Sequence, residues 1–120
     1  ANRFKSALQE NAKIHAITED VIESCHNGIV AWETSSSVQP ILLRGSDDHI
    51  KTKERFSIIE QYFIKNEINF KIINSTNGNI LTKVISLIYL FDYASIYSAI
   101  LGKIDPSPVN SIDYIKKQLT

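Results

Sequence analysis

The amino-acid sequence predicts an α/β fold, a three-layer αβα sandwich built around a parallel sheet. Short apolar runs over 38–43 and 69–73 predict two strands, and each is followed by a longer segment with helical spacing, over 49–66 and 80–102. Strands separated by a helix in this way are parallel and joined by a right-handed crossover, with helices packed on the sheet. Ligands of such sheets bind beyond the carboxyl ends of the strands, so the loops there are the first place to expect a site.

The composition and charge of the chain are those of one globular domain. The chain has 120 residues, of which 43% are hydrophobic and 22% charged, as in an ordinary folded domain. Thirteen basic and thirteen acidic residues cancel, which disfavours a nucleic-acid partner. A single cysteine excludes an internal disulfide and fits a reducing, cytoplasmic setting. Methionine is absent, so we expect a processed or excised piece of a longer protein.

The residues before the first strand predict helices and turns. Apolar and small side chains spaced by three and four predict a helix over 2–16. The segment 17–27 is less periodic and ends in a turn, after which 29–32 is either a short helix or an extended piece. Residues 34–37 are a hydroxyl-rich loop. Pro40 lies early in the first strand or places that strand at a sheet edge.

Helix start and stop signals follow in the second half of the chain. The helix over 49–66 begins after a cluster of capping residues, and the helix over 80–102 is expected to end at Gly102. The last helix follows a proline-rich break and carries one apolar stripe. The expected N-cap of the helix over 49–66 is Ser46, Asp47 or Asp48. The expected N-cap of the last helix is Ser107, with Pro108 at its first position and Ile112, Ile115 and Leu119 on the stripe.

The segment 84–102 is apolar enough to require comparison with a membrane span. Its strongest apolar run, over 84–91, is about eight residues long, against roughly twenty needed to cross a bilayer. Asp92 is its one charge, and a carboxylate in mid-bilayer costs about 2.5–3.5 kcal/mol. We therefore expect a helix buried inside protein and no membrane partner.

The loops after the two strands offer few chemical groups. Two carboxylates already occupy the helix start at 44–49, which disfavours a phosphate there, and capping is favoured over metal ligation by Asp47, Asp48 and His49. The uncharged loop 74–79 makes Ser75 and Thr76 weak candidates for binding a phosphate, with a solvated helix cap as the alternative.

Three other side chains have both chemical and structural interpretations. Cys25 beside His26 suggests a nucleophile and its base, but neighbouring side chains rarely point at each other, and Cys25 is interpreted as a core residue. Glu10, taken alone, is a solvated helical carboxylate paired with Lys13 or Lys5. From the residues alone, the sequence indicates an α/β sandwich with a possible site at its loops.

A series of short motifs, in order along nearly the whole chain, resembles archaeal-type bifunctional phosphoglucose/phosphomannose isomerases. The similarity is to their C-terminal sugar isomerase (SIS) domain and the helix that leads into it. The motifs are Arg3-Phe4-Lys5, Glu10-Asn11-Ala12-Lys13, His26-Asn27, Pro40-Ile41-Leu42-Leu43-Arg44, Asp48-His49, Ser86-Leu87-Ile88-Tyr89-Leu90, Asp92-Tyr93, Asp105-Pro106-Ser107-Pro108-Val109, Ile112-Asp113 and Lys116.

This resemblance implies two tandem SIS domains of flavodoxin-like topology, each with a five-stranded parallel sheet between helices. Residues 1–33 are then the lead-in helix and a catalytic His loop, and 34–120 the C-terminal SIS domain. The implied reaction interconverts glucose 6-phosphate or mannose 6-phosphate with fructose 6-phosphate through an enediol, with no metal or other cofactor. The implied partners are the sugar phosphate, a missing N-terminal SIS domain that holds the main phosphate loop, and a second subunit in a homodimer, in cytoplasmic glycolysis and gluconeogenesis. The chain alone is expected to be inactive or very weak.

The resemblance also carries three side-chain roles to this chain. Glu10 matches the carboxylate that moves a proton between C1 and C2. His26 matches the group that opens the sugar ring, and Lys116 a lysine that assists it; the alternative for Lys116 is an exposed cation suited to a helix end. The competing function is a non-catalytic SIS module that binds a phosphosugar for regulation. Retention of all three side chains favours the enzyme.

The chain departs from the family pattern around His26. Cys25 and Gly28 stand where the family often has asparagine and glutamate, and Ala31 stands where glycine is usual. A missing glutamate at 28 removes an orienting partner for His26. This departure bears on the efficiency of ring opening more than on the class of reaction.

Overall fold

The computed structural model describes residues 1–119, which form two compact units. We call residues 1–18 together with those from 87 onward the terminal unit, and residues 19–86 the central unit. The predicted division of the chain between residues 33 and 34 stays a prediction. The elements in chain order are α1 (Asn2–Asn11), α2 (Val21–Ser24), a 3₁₀ helix (Gly28–Glu33), β1 (Ile41–Arg44), α3 (Ile50–Lys65), β2 (Lys71–Asn74), α4 (Ile80–Leu101) and α5 (Asn110–Leu119).

The central unit contains the predicted parallel pairing. β1 and β2 run parallel with Ile41 opposite Lys71 and Arg44 opposite Asn74, and α3 forms the crossover between them. The ladder begins just after Pro40, whose carbonyl accepts the Lys71 N–H at 3.0 Å. Proline has no N–H to pair, which is why the strand starts later than its apolar run. The α/β class is therefore confirmed, with two strands within residues 1–119.

An aromatic cluster forms the core of the central unit. Ile59 and Phe63, on one face of α3, are buried. Trp32 from the 3₁₀ helix meets the Phe63 ring edge-to-face at 5.4 Å, and Phe70, just before β2, lies at the same centroid distance. The segment 29–32 is therefore helical, the first of the two alternatives predicted for it.

The core of the terminal unit lies between α1 and α4. Phe4 stacks on Phe91 with ring centroids 4.3 Å apart, and the other buried residues of this unit within 1–119 are small. Because small side chains let backbones approach closely, the two helices make direct polar contacts as well as apolar ones. The small buried residues are Ala7, Ala12, Ser95 and Ala99.

The expectation that α4 is a buried helix is wrong for this chain. Only 17% of its most apolar stretch is buried, and by length and composition alone the helix is long and apolar enough to cross a membrane. The core helix of a protein passes the same test of length and composition. Asp92, near the middle of α4, is ion-paired with Arg3, an arrangement that suits contact with protein. The absence of a membrane partner stays a prediction.

Several predicted helix boundaries also need correction. α1 ends at Asn11 and not at residue 16, because the backbone at Lys13 turns left-handed with φ of 56°. His49 is the N-cap of α3, since its Nδ1 accepts the Lys51 N–H. α5 begins at Asn110 with the Val109 carbonyl accepting its first bonds, two residues after the predicted start.

The predicted apolar stripe of α5 is largely uncovered. Ile112 is 40% exposed, and Ile115 and Leu119 are more exposed still. No residue of α5 is buried. The amphipathic pattern is therefore present, but within residues 1–119 nothing covers it fully.

Candidate functional site

An open cleft in the terminal unit lies between the end of α1 and the beginning of α5. Its volume is about 480 Å³. One wall comes from the last two turns of α1, and the other from residues 105–112. The lining residues are Ser6, Gln9, Glu10, Lys13, Asp105, Pro108, Val109, Asn110, Ser111 and Ile112.

Glu10 is the only carboxylate that α1 brings to this cleft. It is the penultimate residue of the helix and its side chain is exposed. Among the described residues its carboxylate is not ion-paired with Lys5 or Lys13. Instead, the Lys13 Nζ donates to the backbone carbonyl of Glu10 at 2.6 Å. The paired surface carboxylate considered from the sequence is therefore not the arrangement found.

Polar contacts with α4 fix the helix that presents Glu10. The Arg3 guanidinium donates to both oxygens of Asp92, at 3.0 and 2.7 Å. The hydrogen bond to the carboxylate is also the main reason that the pKa of Arg3 is raised. At the other end of α1, Asn11 donates to the Ser95 hydroxyl at 2.8 Å. Contacts at both ends of a helix hold the side chains between them in register, as a functional group requires.

The opposite wall of the cleft is a turn held by Asp105. The Ser107 N–H donates to the Asp105 carboxylate at 2.9 Å. Hydrogen bonds from Ser107, foremost the backbone one, lower the pKa of Asp105, and the Lys13 charge adds a smaller effect in the same direction. The ionised Asp105 carboxylate therefore stabilises the turn that leads into α5.

Lys116 lies one turn beyond the cleft on α5. Ile112 lines the cleft, and residues four apart on a helix share a face. Lys116 therefore follows Ile112 on the same side of α5, in its last turn. The structure thus brings Glu10 together with the start of the helix that carries Lys116.

His26 belongs to the central unit and lies in the turn between α2 and the 3₁₀ helix. The Asp20 carboxylate caps α2 by accepting the N–H groups of Ile22 and Glu23, at 2.9 and 3.1 Å. His26 is exposed, and its Nδ1 lies 3.0 Å from Oδ1 of Asn27. An amide oxygen only accepts, so this contact is a hydrogen bond in the tautomer with the proton on Nδ1, in which Nε2 is an acceptor.

The space beside Gly28 is occupied by another carboxylate. A Cβ at residue 28 would clash with Oε2 of Glu19. The same oxygen accepts the Ser24 hydroxyl at 3.3 Å. A side chain at residue 28 would therefore require Glu19 to move.

The loops at the carboxyl ends of the strands are tied to each other. The Ser75 N–H donates to the Arg44 carbonyl at 2.8 Å, and the Ser75 hydroxyl accepts the Ser46 N–H at 3.3 Å. Ser75 is thus engaged in joining the loops, whereas Thr76 is exposed.

The acidic cluster in the first of these loops has structural partners. Asp47 is ion-paired with Lys83, which lowers the pKa of that carboxyl. The Asp48 carboxylate accepts the Gly45 N–H at 2.8 Å. Across residues 1–119, no three His, Cys, Asp or Glu side chains gather closely enough to hold a metal ion.

Lys13 and Asn27 are functional candidates that the sequence reasoning did not single out. Each lies within three residues of a predicted site residue and contacts it, Lys13 through the Glu10 carbonyl and Asn27 through the His26 ring. Their positions inside the Glu-Asn-Ala-Lys and His-Asn motifs were the available signal.

The fold is that of an α/β domain. Its cleft contains the Glu10 carboxylate, near the end of the helix α1 that contacts α4 at both ends. The chain belongs to the family described as the bacterial phospho-glucose isomerase C-terminal SIS domain, whose model matches residues 1–119. The family resemblance seen in the sequence is thereby confirmed.

Three curated relatives of this chain share the same name. A bifunctional phosphoglucose/phosphomannose isomerase of Caldicellulosiruptor bescii is 34% identical over 99% of this chain and 36% of its own length. Proteins with the same name from Aquifex aeolicus and Thermoplasma volcanium are 27% and 26% identical, each over 99% of this chain and 38% of their own length. This chain thus spans somewhat over a third of these relatives. No solved structure matches it significantly.

Proposed function

We propose that this chain supplies the proton-transfer side chains of a sugar-phosphate isomerase that interconverts glucose 6-phosphate or mannose 6-phosphate with fructose 6-phosphate. The observation that carries the proposal is the placement of Glu10 in the cleft, on a helix fixed at both ends, with no ion pair to Lys5 or Lys13. The names of the curated relatives support the same reaction.

Glu10 is the base of the isomerisation. Its carboxylate removes the proton from C2 of the open-chain aldose, which gives an enediol, and returns a proton to C1 as the ketose forms. The hydroxyl proton moves from O2 to O1 in the same conversion. One carboxylate performs both carbon steps because C1 and C2 are adjacent, and a positioned general base contributes typically 10²–10⁴-fold to the rate. This scheme needs no metal or other cofactor.

His26 and Lys116 act on the ring. Opening a pyranose breaks the bond between C1 and O5, takes the proton from O1 and delivers one to O5. A neutral imidazole with a free Nε2 suits the first transfer, and the contact with Asn27 holds that tautomer. Lys116, on the face of α5 that continues from the cleft, polarises O5.

The larger assembly is also part of the proposal. The relatives are nearly three times as long as this chain, which supports a second, N-terminal SIS domain that carries the main phosphate loop. We propose a three-layer αβα sandwich of flavodoxin-like topology for the SIS domain, with 1–33 as its lead-in.

The uncovered apolar faces of α4 and α5 support a homodimer, because exposed apolar patches of this extent mark interfaces. With this substrate we also propose a cytoplasmic location and roles in glycolysis and gluconeogenesis.

The test replaces Glu10 in the full-length polypeptide that carries this sequence. Glu10→Gln keeps the shape of the side chain and removes the base, so exchange of the C2 proton with deuterated solvent is expected to fall at least 10²-fold while sugar-phosphate binding is retained. Glu54→Gln, an exposed carboxylate on α3, is the matched control and leaves exchange unchanged.

The same measurement separates the two functional hypotheses. Exchange at the wild-type rate in Glu10→Gln overturns the role of Glu10. A wild-type protein that binds sugar phosphate but exchanges no C2 proton is instead the regulatory module considered from the sequence.

A further inference from the structure

Lys13 joins the two walls of the cleft. Its Nζ donates to the Glu10 carbonyl at 2.6 Å and to the Pro108 carbonyl at 2.7 Å. The first acceptor belongs to the last turn of α1, and the second lies two residues before α5 begins. A single ammonium therefore ties the backbone of Glu10 to the entry of the opposite helix.

The local backbone is arranged for this double contact. The last carbonyls of a helix have no partner within the helix, and a cation there is favoured by the helix dipole. Lys13 stands in the left-handed region with φ of 56°, which is unfavourable for any residue with a Cβ. Such a conformation persists where surrounding contacts hold it in place. The Ile14 N–H closes this turn by donating to the Leu8 carbonyl at 3.2 Å, and the two carbonyl contacts of the Lys13 ammonium add to that bond.

The geometry points to Lys13 as a positioning residue for Glu10, through its bridge between the Glu10 and Pro108 carbonyls. This inference rests on the proposed function. Lys13 touches Glu10 through the backbone carbonyl and, among the described residues, makes no ion pair with its carboxylate, so it sets the place of the base without neutralising it. Asn110 and Ser111 line the facing wall, and the bridge fixes their distance from the carboxylate.

A displaced base has a consequence that can be measured on each turnover. While the proton rests on Glu10, it either returns to the neighbouring carbon or exchanges with water. A carboxylate held over C1 and C2 returns it quickly, and a loosely held one gives water more time. A misplacement of about 1 Å is enough to lower a rate by about 10²-fold.

The experiment follows the fate of a label at C2 in the full-length polypeptide that carries this sequence. Glucose 6-phosphate tritiated at C2 is the probe, and the ratio of tritium transferred to C1 to tritium released into water is measured beside kcat. Lys13→Met, which keeps the length of the side chain without its donors, is expected to lower kcat about 10–100-fold and to lower the transfer ratio at least threefold. Lys13→Arg, which retains charge and donors, is expected to recover at least half of the ratio.

The control is Lys5→Met, which removes a lysine from the same helix outside the cleft and leaves kcat and the ratio unchanged. The ratio is a property of each turnover, so loss of folded protein lowers kcat without moving it. A wild-type ratio in Lys13→Met, with the wild-type protein active, overturns the role of Lys13 alone. A wild-type protein that neither transfers nor releases tritium overturns the proposed function, and the role of Lys13 with it.

Discussion

The amide of Asn11 donates to the hydroxyl of Ser95 across 2.8 Å, and Ser95 is completely buried. The same hydroxyl donates to the Asp92 carbonyl at 2.7 Å. The Ser95 hydroxyl therefore satisfies polar groups of both α1 and α4. Its partner on α1, Asn11, is the residue next to Glu10, the proposed base. The two partners of Ser95 explain why a polar residue occupies the core of the terminal unit, since a buried hydroxyl is tolerated only when hydrogen-bonded.

Replacement of Ser95 by alanine tests this contact. Ser95→Ala leaves the half-buried Asn11 amide without its partner, and we expect a loss of about 1–3 kcal/mol in the free energy of unfolding. Ser98→Ala is the matched control, because among residues 1–119 the Ser98 hydroxyl bonds within its own helix, to the Ala94 carbonyl. Urea unfolding of both variants gives the comparison. Equal losses would show that the contact between helices adds nothing.

Acid stability tests the turn that forms the facing wall of the cleft. The pKa of Asp105 is lowered from 3.8, mainly by the Ser107 N–H. A carboxyl whose pKa is lowered by folding stabilises the folded state above its unfolded pKa, and that stability is lost as the pH falls through the folded pKa. Asp105→Asn is therefore expected to have a lower Tm than the wild type near pH 7. The difference should disappear once the pH is well below 3.8. A difference in Tm that is independent of pH would contradict an ionised Asp105 in this role.

The elements that local patterns determine were predicted well. The parallel strands, the crossover helix α3 and the long helix α4 follow from hydrophobic periodicity and from turn residues, which act over a few positions. The end of α1 and the start of α5 were predicted less well, whereas both ends of α3 and α4 lie within one residue of the prediction. Lys13, Glu67 and Lys103 all take the left-handed conformation after a helix, a position where glycine is the usual signal. The same geometry closes α3 and α4, where the Ile68 and Ile104 N–H groups donate to the Phe63 and Ala99 carbonyls.

The contacts that support the candidate site residues could not be predicted from the sequence. Glu10, His26 and Lys116 came from the family resemblance, and the roles assigned to them stay predictions. The double contact of Lys13 depends on the Pro108 carbonyl, 95 residues away in the chain. What covers α4 could not be predicted for a similar reason, because an apolar helix looks the same in sequence whether its cover comes from its own chain or from another.

The orientation of His26 leads to a prediction about the step that opens the ring. His26→Ala is expected to lower turnover of the cyclic sugar phosphate about 10²–10⁴-fold, and to lower turnover of an open-chain analogue much less, because its proposed task ends when the ring opens. Asn27→Ala, which removes the contact at Nδ1, should show the same pattern with a smaller loss. Cys25→Ala, next in the chain, serves as the control. Equal losses on cyclic and open-chain substrates would remove His26 from ring opening.

The exposed face of α4 leads to a prediction about self-association. Tyr89, Tyr93 and Tyr97 lie four residues apart and stack along the helix with centroids 6.4 and 6.3 Å apart. More than half of each side chain is exposed, so the row offers a continuous aromatic surface, and aromatic residues are enriched where proteins meet. If a second copy covers this row, Tyr93→Glu places an unpaired carboxylate in the interface, and sedimentation should show dimers of the full-length polypeptide replaced by monomers, with an unchanged far-UV circular dichroism spectrum. Ile64→Glu, at a similarly exposed position on α3, is the control and should leave the dimer intact. A dimer that persists in Tyr93→Glu places the subunit contact elsewhere, because a carboxylate buried without a partner costs too much for the interface to keep it.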